Sequence, residues 1–149
     1  MTRRLAVGLL LGSLLAACVA EAPPGAAANT TMPDNPLPSC PSWPNCVRET
    51  RLFDVPPDVL FSAAQAALAA VGAAAVNTTP EALRLDAVFP VAFLKDDVAL
   101  LIERREGRTA LHIRSASRVG AYDFGVNRRR IRAFFDALAK SLTPQAART

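Results

Sequence analysis

The sequence predicts an α+β fold: a two-layer sandwich in which an antiparallel sheet of about four strands is flanked by an N-terminal and a C-terminal helix. Three observations carry this. At 149 residues with 51% apolar side chains, the chain has room for one hydrophobic core. Apolar residues recur at helical spacing in two stretches, residues 54–72 and 123–142. Between them the period falls towards two, with Glu106-Gly107 as a turn between two strand-like runs. The composition also excludes several classes. One His and three Cys leave little for a metal centre, a single apolar run approaches spanning length, and no repeat period is visible. Multidomain enzymes, zinc ribbons, repeat arrays and polytopic membrane proteins are therefore out.

Met1-Thr2-Arg3-Arg4 is a short basic segment, followed by an apolar run, Leu5 to Leu15, of the length of a signal-peptide core. The run ends in Leu15-Ala16-Ala17-Cys18. This resembles a bacterial lipobox, whose small residues admit a lipoprotein signal peptidase. The resemblance implies that residues 1–17 are a cleaved signal peptide and that mature Cys18 carries a thioether-linked diacylglycerol and an acylated amine, a palmitate-type anchor. Two or more chains hold stably, since each buried methylene contributes about 0.8 kcal/mol and one chain alone is marginal. The rival readings are a plain secretory signal with a chance Cys, or a buried first helix. Val19 stands where an Asp would suggest retention in the inner membrane, which points to the outer membrane of a Gram-negative cell, facing the periplasm. Cleavage removes Arg3 and Arg4 and lowers the formal charge from +4 to +2. Global basicity is thus weak evidence for nucleic acid, which the address argues against.

Residues 18–39 then read as the lipidated Cys and a flexible tether, with five Pro and two charges after Cys18. Residues 40–142 read as one domain and residues 143–149 as a disordered tail. The domain opens with Cys40-Pro41-Ser42-Trp43-Pro44-Asn45-Cys46. With Cys18 lipidated, the two remaining thiols form a pair in an oxidising compartment, so a disulfide between Cys40 and Cys46 is the default. The chain-entropy model gives so short a loop roughly 2 kcal/mol. A redox or metal-binding pair is the alternative, although five intervening residues do not suit a thioredoxin-type motif and His112 is the only further ligand of its kind.

The first helix begins at Asp54-Val55-Pro56-Pro57-Asp58, where Pro is tolerated and Asp suits the positive end of the dipole. Leu60, Phe61, Ala64, Ala67, Leu68 and Val71 share one face, and Gly72 ends it. Ala74–Thr79 is a short strand. Leu83, Leu85, Ala87 and Phe89 alternate with Arg84, Asp86 and Val88 until Pro90 interrupts. Residues 97–105 and 108–118 form a hairpin. Its second strand sets Leu111, Ile113, Ser115 and Ser117 on a packing face and His112, Arg114, Ala116 and Arg118 on a charged one. The last helix starts near Asp123 as N-cap, with Ile131, Phe134, Phe135 and Leu138 as its apolar stripe. Asn127 and Arg128 border that stripe, and Arg129 and Arg132 face solvent.

The segment Arg114 to Arg128 is the densest polar stretch and falls at a strand-to-helix turn. Gly120 and Gly125 let the backbone take positive φ or approach a ligand, and a helix start offers free N–H groups to an anion. Arg114, Arg118 and Arg128 could supply donors to a carboxylate or phosphate, with Tyr122, Asp123 and Asn127 around them and Trp43 at the edge. The alternative is structural: Asp123 caps, an Arg pairs with an acid, and the glycines serve the turn. Cations at Arg128, Arg129 and Arg130 oppose the helix dipole, which suits an anionic partner or simply a solvated Arg-rich face. Catalysis finds little support. Ser115 and Ser117 lack a G-x-S-x-G elbow, and His112 has no sequence-level partner. Turn chemistry explains Asp96-Asp97 as well as a carboxylate pair does.

Two stretches are similar to the bacterial and plastid family of domain of unknown function 1499. Cys-Pro-x-x-Pro-Asn-Cys-Val at Cys40 to Val47 resembles its opening motif, and R-S-A-S-R-x-G-x-x-D-x-G-x-N-R-x-R-I at Arg114 to Ile131 its closing one. Lys95-Asp96-Asp97-Val98 resembles its entry to the central hairpin. The family implies no established activity, cofactor or substrate. The expectation is therefore a non-enzymatic envelope lipoprotein without cofactor or metal, binding an anionic small molecule or lipid headgroup through Arg114, Arg118, Asn127 and Arg128. The rivals are a hydrolase or transferase using His112 or Ser117, and a protein-interaction module using the Trp43 loop. Charge sharpens the question. Residues 40–103 carry four positive and eight negative side chains, a balance of −4, whereas residues 104–132 carry nine Arg against two acids, a balance of +7. The two halves either neutralise each other in the fold or leave the second facing a partner.

Overall fold

Alternating apolar residues from three consecutive strands form the floor on which two helices sit. The computed structural model describes residues 32–42 and 44–143. Cys18 with the expected signal peptide, most of the expected tether, Trp43 and residues 144–149 of the expected tail lie outside the described residues. The elements are β1 (Cys46–Phe53), α1 (Pro57–Ala70), β2 (Ala75–Thr79), a 3-10 turn (Pro80–Ala82), β3 (Arg84–Val91), β4 (Leu94–Arg105), β5 (Arg108–Ser117) and α2 (Val126–Leu142). The sheet is antiparallel throughout, in the order β1-β5-β4-β3-β2. Leu85, Ala87, Phe89, Val98, Leu100, Ile102, Leu111 and Ile113 point to one face and join Leu60, Ala64, Leu68, Ile131, Phe134 and Leu138 in one core. This is the expected α+β sandwich.

One strand was not expected. β1 pairs along its whole length with β5, from Cys46 opposite Ala116 to Phe53 opposite Thr109. Its inward positions are Val47, Glu49, Arg51 and Phe53, and the two charged residues hide the alternation that would betray a half-buried strand. Arg51 is accommodated because its guanidinium lies 3.5 Å over the Phe135 ring of α2. The packed domain also begins before Cys40. Leu37 is buried, Asn35 donates from its side chain to the Glu49 carbonyl, and Arg48 donates to the Asn35 carbonyl.

Pro90 does not interrupt its strand as expected: β3 continues to Val91, with Pro90 opposite Lys95. The Val88 carbonyl accepts from Ala74 on the β2 side, and Pro90, two residues on, faces the same side beyond the last paired residue of β2. The missing N–H therefore interrupts no ladder. The division of β5 into a packing face and a charged face also differs. Ala110, His112 and Ala116, on the face away from the helices, are buried as deeply as their inward neighbours, because β5 has a strand on either side.

His112 is the clearest case. Its ring is fully shielded, Nδ1 lies 2.9 Å from Thr50 Oγ1, and Nε2 lies 3.4 Å from Glu103 Oε2. Burial pushes its pKa below the ordinary histidine range, Glu103 opposes this more weakly, and Arg105 and Arg48 assist the burial. A histidine kept neutral by folding stabilises fully above the unfolded pKa of about 6.5, and that contribution is lost as pH falls and the unfolded chain takes up the proton first. Urea unfolding should therefore show stability falling as the pH drops below about 6.5, with a flatter profile in His112→Gln. Phe134, buried at the centre of the core, should cost about 3–5 kcal/mol as Phe134→Ala in the same assay.

Candidate functional site

Three segments meet at the end of the sheet where β1 and β4 begin and β5 stops. They are the loop closed by the Cys40–Cys46 disulfide, the first residues of β4, and the connection from β5 to α2. Ser115 and Ser117 fall on the inward face of β5, and Asn127 enters from the first turn of α2. Asn127 is fully buried and acts as a hub. Its side-chain NH2 donates to the Asn45 carbonyl at 3.0 Å and to Ser117 Oγ at 3.1 Å, while its Oδ1 accepts from Ser115 Oγ at 2.6 Å and from Arg130 at 2.7 Å. Arg130 stands three residues on, hence on the same helix face. Its guanidinium also donates to Ser115 Oγ at 3.0 Å and to Asp96 at 2.7 Å, and lies 4.8 Å over the Phe89 ring.

The Asp96–Arg130 pair is buried, with side-chain exposures of 3% and 9%. Such a pair survives desolvation only when its remaining donors and acceptors are met, and the Ser115 and Asn127 bonds do this for Arg130. Around the hub, the Asn45 side chain donates to the Gly120 carbonyl, and the Ser117 amide donates to the Asn45 carbonyl. Asp123 accepts from the Gly125 and Asn127 amides at 2.8 and 2.7 Å, meeting donors at the start of α2. Partial burial by itself raises the Asp123 pKa, but those N–H bonds outweigh it and hold the carboxyl below the usual range.

The expected ligand residues are thus dispersed. Asn127 is consumed by the hub and Asp123 by the helix start. Arg118 grips Asp97 through both carboxylate oxygens, at 2.7 to 3.0 Å, on the surface. Arg114 lies on the sheet face away from the helices, opposite Arg48. Arg128 and Tyr122 are exposed, and Trp43 lies outside the described residues. Arg114, Arg118, Asn127 and Arg128 therefore do not converge, because the two-residue period of β5 sends Arg114 and Arg118 to the face opposite the hub. The same period separates His112 from Ser117, which removes the hydrolase pairing. The His112 ring, between Thr50 and a partly exposed Glu103, is itself fully buried and offers no nitrogen to a substrate.

The hub residues the sequence reading missed are Asn45, Asp96, Ser115 and Arg130. The Asp96-Asp97 dipeptide was the available signal. Strand alternation sends Asp96 inward and Asp97 outward, so one acid meets Arg130 and the other Arg118. Gly120 and Gly125 both take positive φ, at 88° and 75°. More unusual is Phe124, a non-glycine residue at φ 49°, 90% exposed, whose carbonyl accepts from Arg129. An L-residue held there costs roughly 1–2 kcal/mol, which the bonds from Asp123 across it to the Gly125 and Asn127 amides sustain.

Beside the hub runs a shallow cleft of about 400 Å3 between the C-terminus of α1 and the first turn of α2. Val71, Phe89, Pro90, Val91 and Val126 give it apolar walls, and Arg129 and Arg130 line its polar side. Arg130 is already met by Asp96. Arg129 has no carboxylate partner among the described residues. No group of three His, Cys, Asp or Glu among the described residues could hold a metal ion.

Two helices packed on one face of an antiparallel sheet, locked at one end by a buried polar hub, define a small helix-on-sheet α+β domain. The chain belongs to the family described as "Protein of unknown function (DUF1499)", whose profile matches residues 36–138. No curated protein matches the chain. Among solved structures it is similar to protein CV1439 from Chromobacterium violaceum, with a TM-score of 0.50 and 14% identity over 67% of this chain and 98% of that one. It is also similar to TTHA0849 from Thermus thermophilus, with a TM-score of 0.43 and 13% identity over 64% and 92%. At these identities the likeness concerns the fold alone.

The two aspartates separate a structural role from a surface one. Asp96→Ala leaves the Arg130 charge buried and unpaired and should cost about 3–5 kcal/mol in chemical unfolding. Asp97→Ala, which frees a half-exposed Arg118, should shift the same curve far less. Equal effects would mean that the hub is not what holds this end together.

Proposed function

We propose that the chain is an envelope lipoprotein, anchored through Cys18 and facing the periplasm, whose domain is a non-catalytic binding module for an anionic headgroup. The observation that carries the reading is the cleft beside α2, where apolar walls adjoin Arg129. A phosphate or carboxylate with a short apolar portion matches that lining. The guanidinium supplies forked donors, the helix start adds a favourable dipole, and Val71, Phe89 and Val91 cover the apolar part. Arg128, exposed on the same first turn, does not line the cleft but adds positive potential beside it, with no carboxylate partner among the described residues. An enzymatic reading has no comparable support. His112 is sealed, and the serines of β5 are engaged in the hub by Asn127 and Arg130.

Two measurements test the proposal. Mass spectrometry of the mature protein from a Gram-negative host should find an N-terminal Cys18 bearing a diacylglycerol thioether, and Cys18→Ser should abolish processing. Thermal unfolding of the purified protein with glycerol 3-phosphate or inorganic phosphate should show a rise of several degrees that disappears in Arg128→Gln/Arg129→Gln. An unmodified N-terminus would remove the anchor. A melting temperature indifferent to both anions would remove the headgroup site.

A further inference from the structure

Five large apolar side chains at one end of the domain do not join the core. Phe93 is 93% exposed and Phe124 90%, with Tyr122, Val119 and Leu94 near them along the chain. Phe93 sits in the turn between β3 and β4 and Leu94 opens β4, while the connection from β5 to α2 carries the other three. These connections are neighbours in space: Asp96 pairs with Ser117, and the Arg118 amide donates to the Lys95 carbonyl, so both chains leave the sheet side by side. The chain has seven Phe, and the other five are buried or packed against the core. Scattered exposed apolar residues are ordinary, but this grouping at protruding tips is not.

The backbone presents these residues deliberately. Ala92, next to Phe93, and Phe124 both hold left-handed φ, at 52° and 49°. The connection bearing Phe124 is tied down by Asp123, by Arg129 on its carbonyl, and by Asn45 on Gly120. A strained, pinned loop that points a phenylalanine into water is positioned for a contact. The flanking charge identifies its sign. Lys95 and Arg118 adjoin the tips in sequence and Arg128 and Arg129 follow on the first turn of α2; Arg118 is paired with Asp97 and Asp123 is engaged by helix amides, which leaves Lys95, Arg128 and Arg129 without a carboxylate partner among the described residues. Protruding aromatic tips flanked by Lys and Arg match a bilayer interface, where aromatic rings sit at headgroup level and cations meet anionic lipid.

We propose that this end of the domain docks on an anionic bilayer, with Phe93 and Phe124 entering the headgroup region. This deepens the lipoprotein reading and rests on it for how the domain reaches a membrane. The 17 residues from Cys18 to Asn35, where the chain docks on β1, span up to about 3.5 Å each and are long enough to let this end turn towards the lipid.

The test uses the full lipidated chain with its single Trp43 replaced by Phe and a reporter introduced as Phe93→Trp, Phe124→Trp or, at the opposite end of the sheet, Glu106→Trp. All three sites are exposed, so folding should be unaffected, which circular dichroism checks. In vesicles of phosphatidylethanolamine and phosphatidylglycerol containing brominated lipid, reporters at 93 and 124 should be quenched at least twofold more than the reporter at 106. Lys95→Gln/Arg128→Gln, or vesicles of phosphatidylcholine alone, should reduce that difference. Equal quenching at both ends, or none, would overturn the docking. Shielding of 93 and 124 only in native membranes that retain their proteins would overturn it in favour of a protein partner. Anchor mass and anion-dependent melting are independent of this readout, so failure of the lipoprotein or headgroup reading is distinguishable from failure of docking.

Discussion

A guanidinium removed from water beside a phenylalanine ring must have its charge and donors met, and in this domain that requirement organises one whole end. Arg130 can be buried only if Asp96 is brought inward, and Asp96 faces inward only in the observed register of β4 with β5. Asn127, one helical turn earlier, then fills the remaining acceptor position and reaches across to the Asn45 carbonyl. One ion pair thus ties together β4, β5, α2 and the disulfide-closed loop. Its contribution lies less in raw stability, which an apolar substitute could match, than in selecting one arrangement of these segments.

The division of charge along the chain has its explanation in the same contacts. The acid-rich and Arg-rich halves meet through Asp96–Arg130, Asp97–Arg118 and Asp54–Arg108. Neutralisation is incomplete, and the surplus is not spread evenly. Arg128 and Arg129 remain at the start of α2, where the helix dipole disfavours them. That cost falls at the same end as the strained loop and the exposed aromatic residues.

The hub and the surface above it divide the work. Inside, the connection from β5 to α2 is held by the Asn127, Asn45 and Asp123 bonds. Outside, Phe124 and Tyr122 project from it without joining the core. The fold itself is similar to that of a protein 14% identical in sequence and says little about ligands. In this chain a pinned loop is paired with aromatic tips and with cations that have no carboxylate partner among the described residues.

Much of the architecture was legible because burial imposes period on sequence. The stripe Leu60, Ala64, Ala67, Leu68 and the stripe Ile131, Phe134, Phe135, Leu138 read as helices, and Leu111 and Ile113 as a strand face, since each element packs against the core along one side. The disulfide followed from two thiols in one short loop. β1 escaped because Glu49 and Arg51 occupy inward positions, tolerated only where Arg51 finds the Phe135 ring. The closing segment reads as the densest polar stretch of the domain, yet proximity in sequence does not group its residues in space. In a strand, neighbours in sequence point to opposite faces, so Arg114 and Arg118 left the group while Asn45 and Asp96, distant along the chain, entered it. Sequence alone determined which segments bury an apolar face, because that depends on local period. Only the tertiary structure decided which polar residues meet, because a hydrogen-bonded hub depends on strand register and helix placement that no single segment encodes.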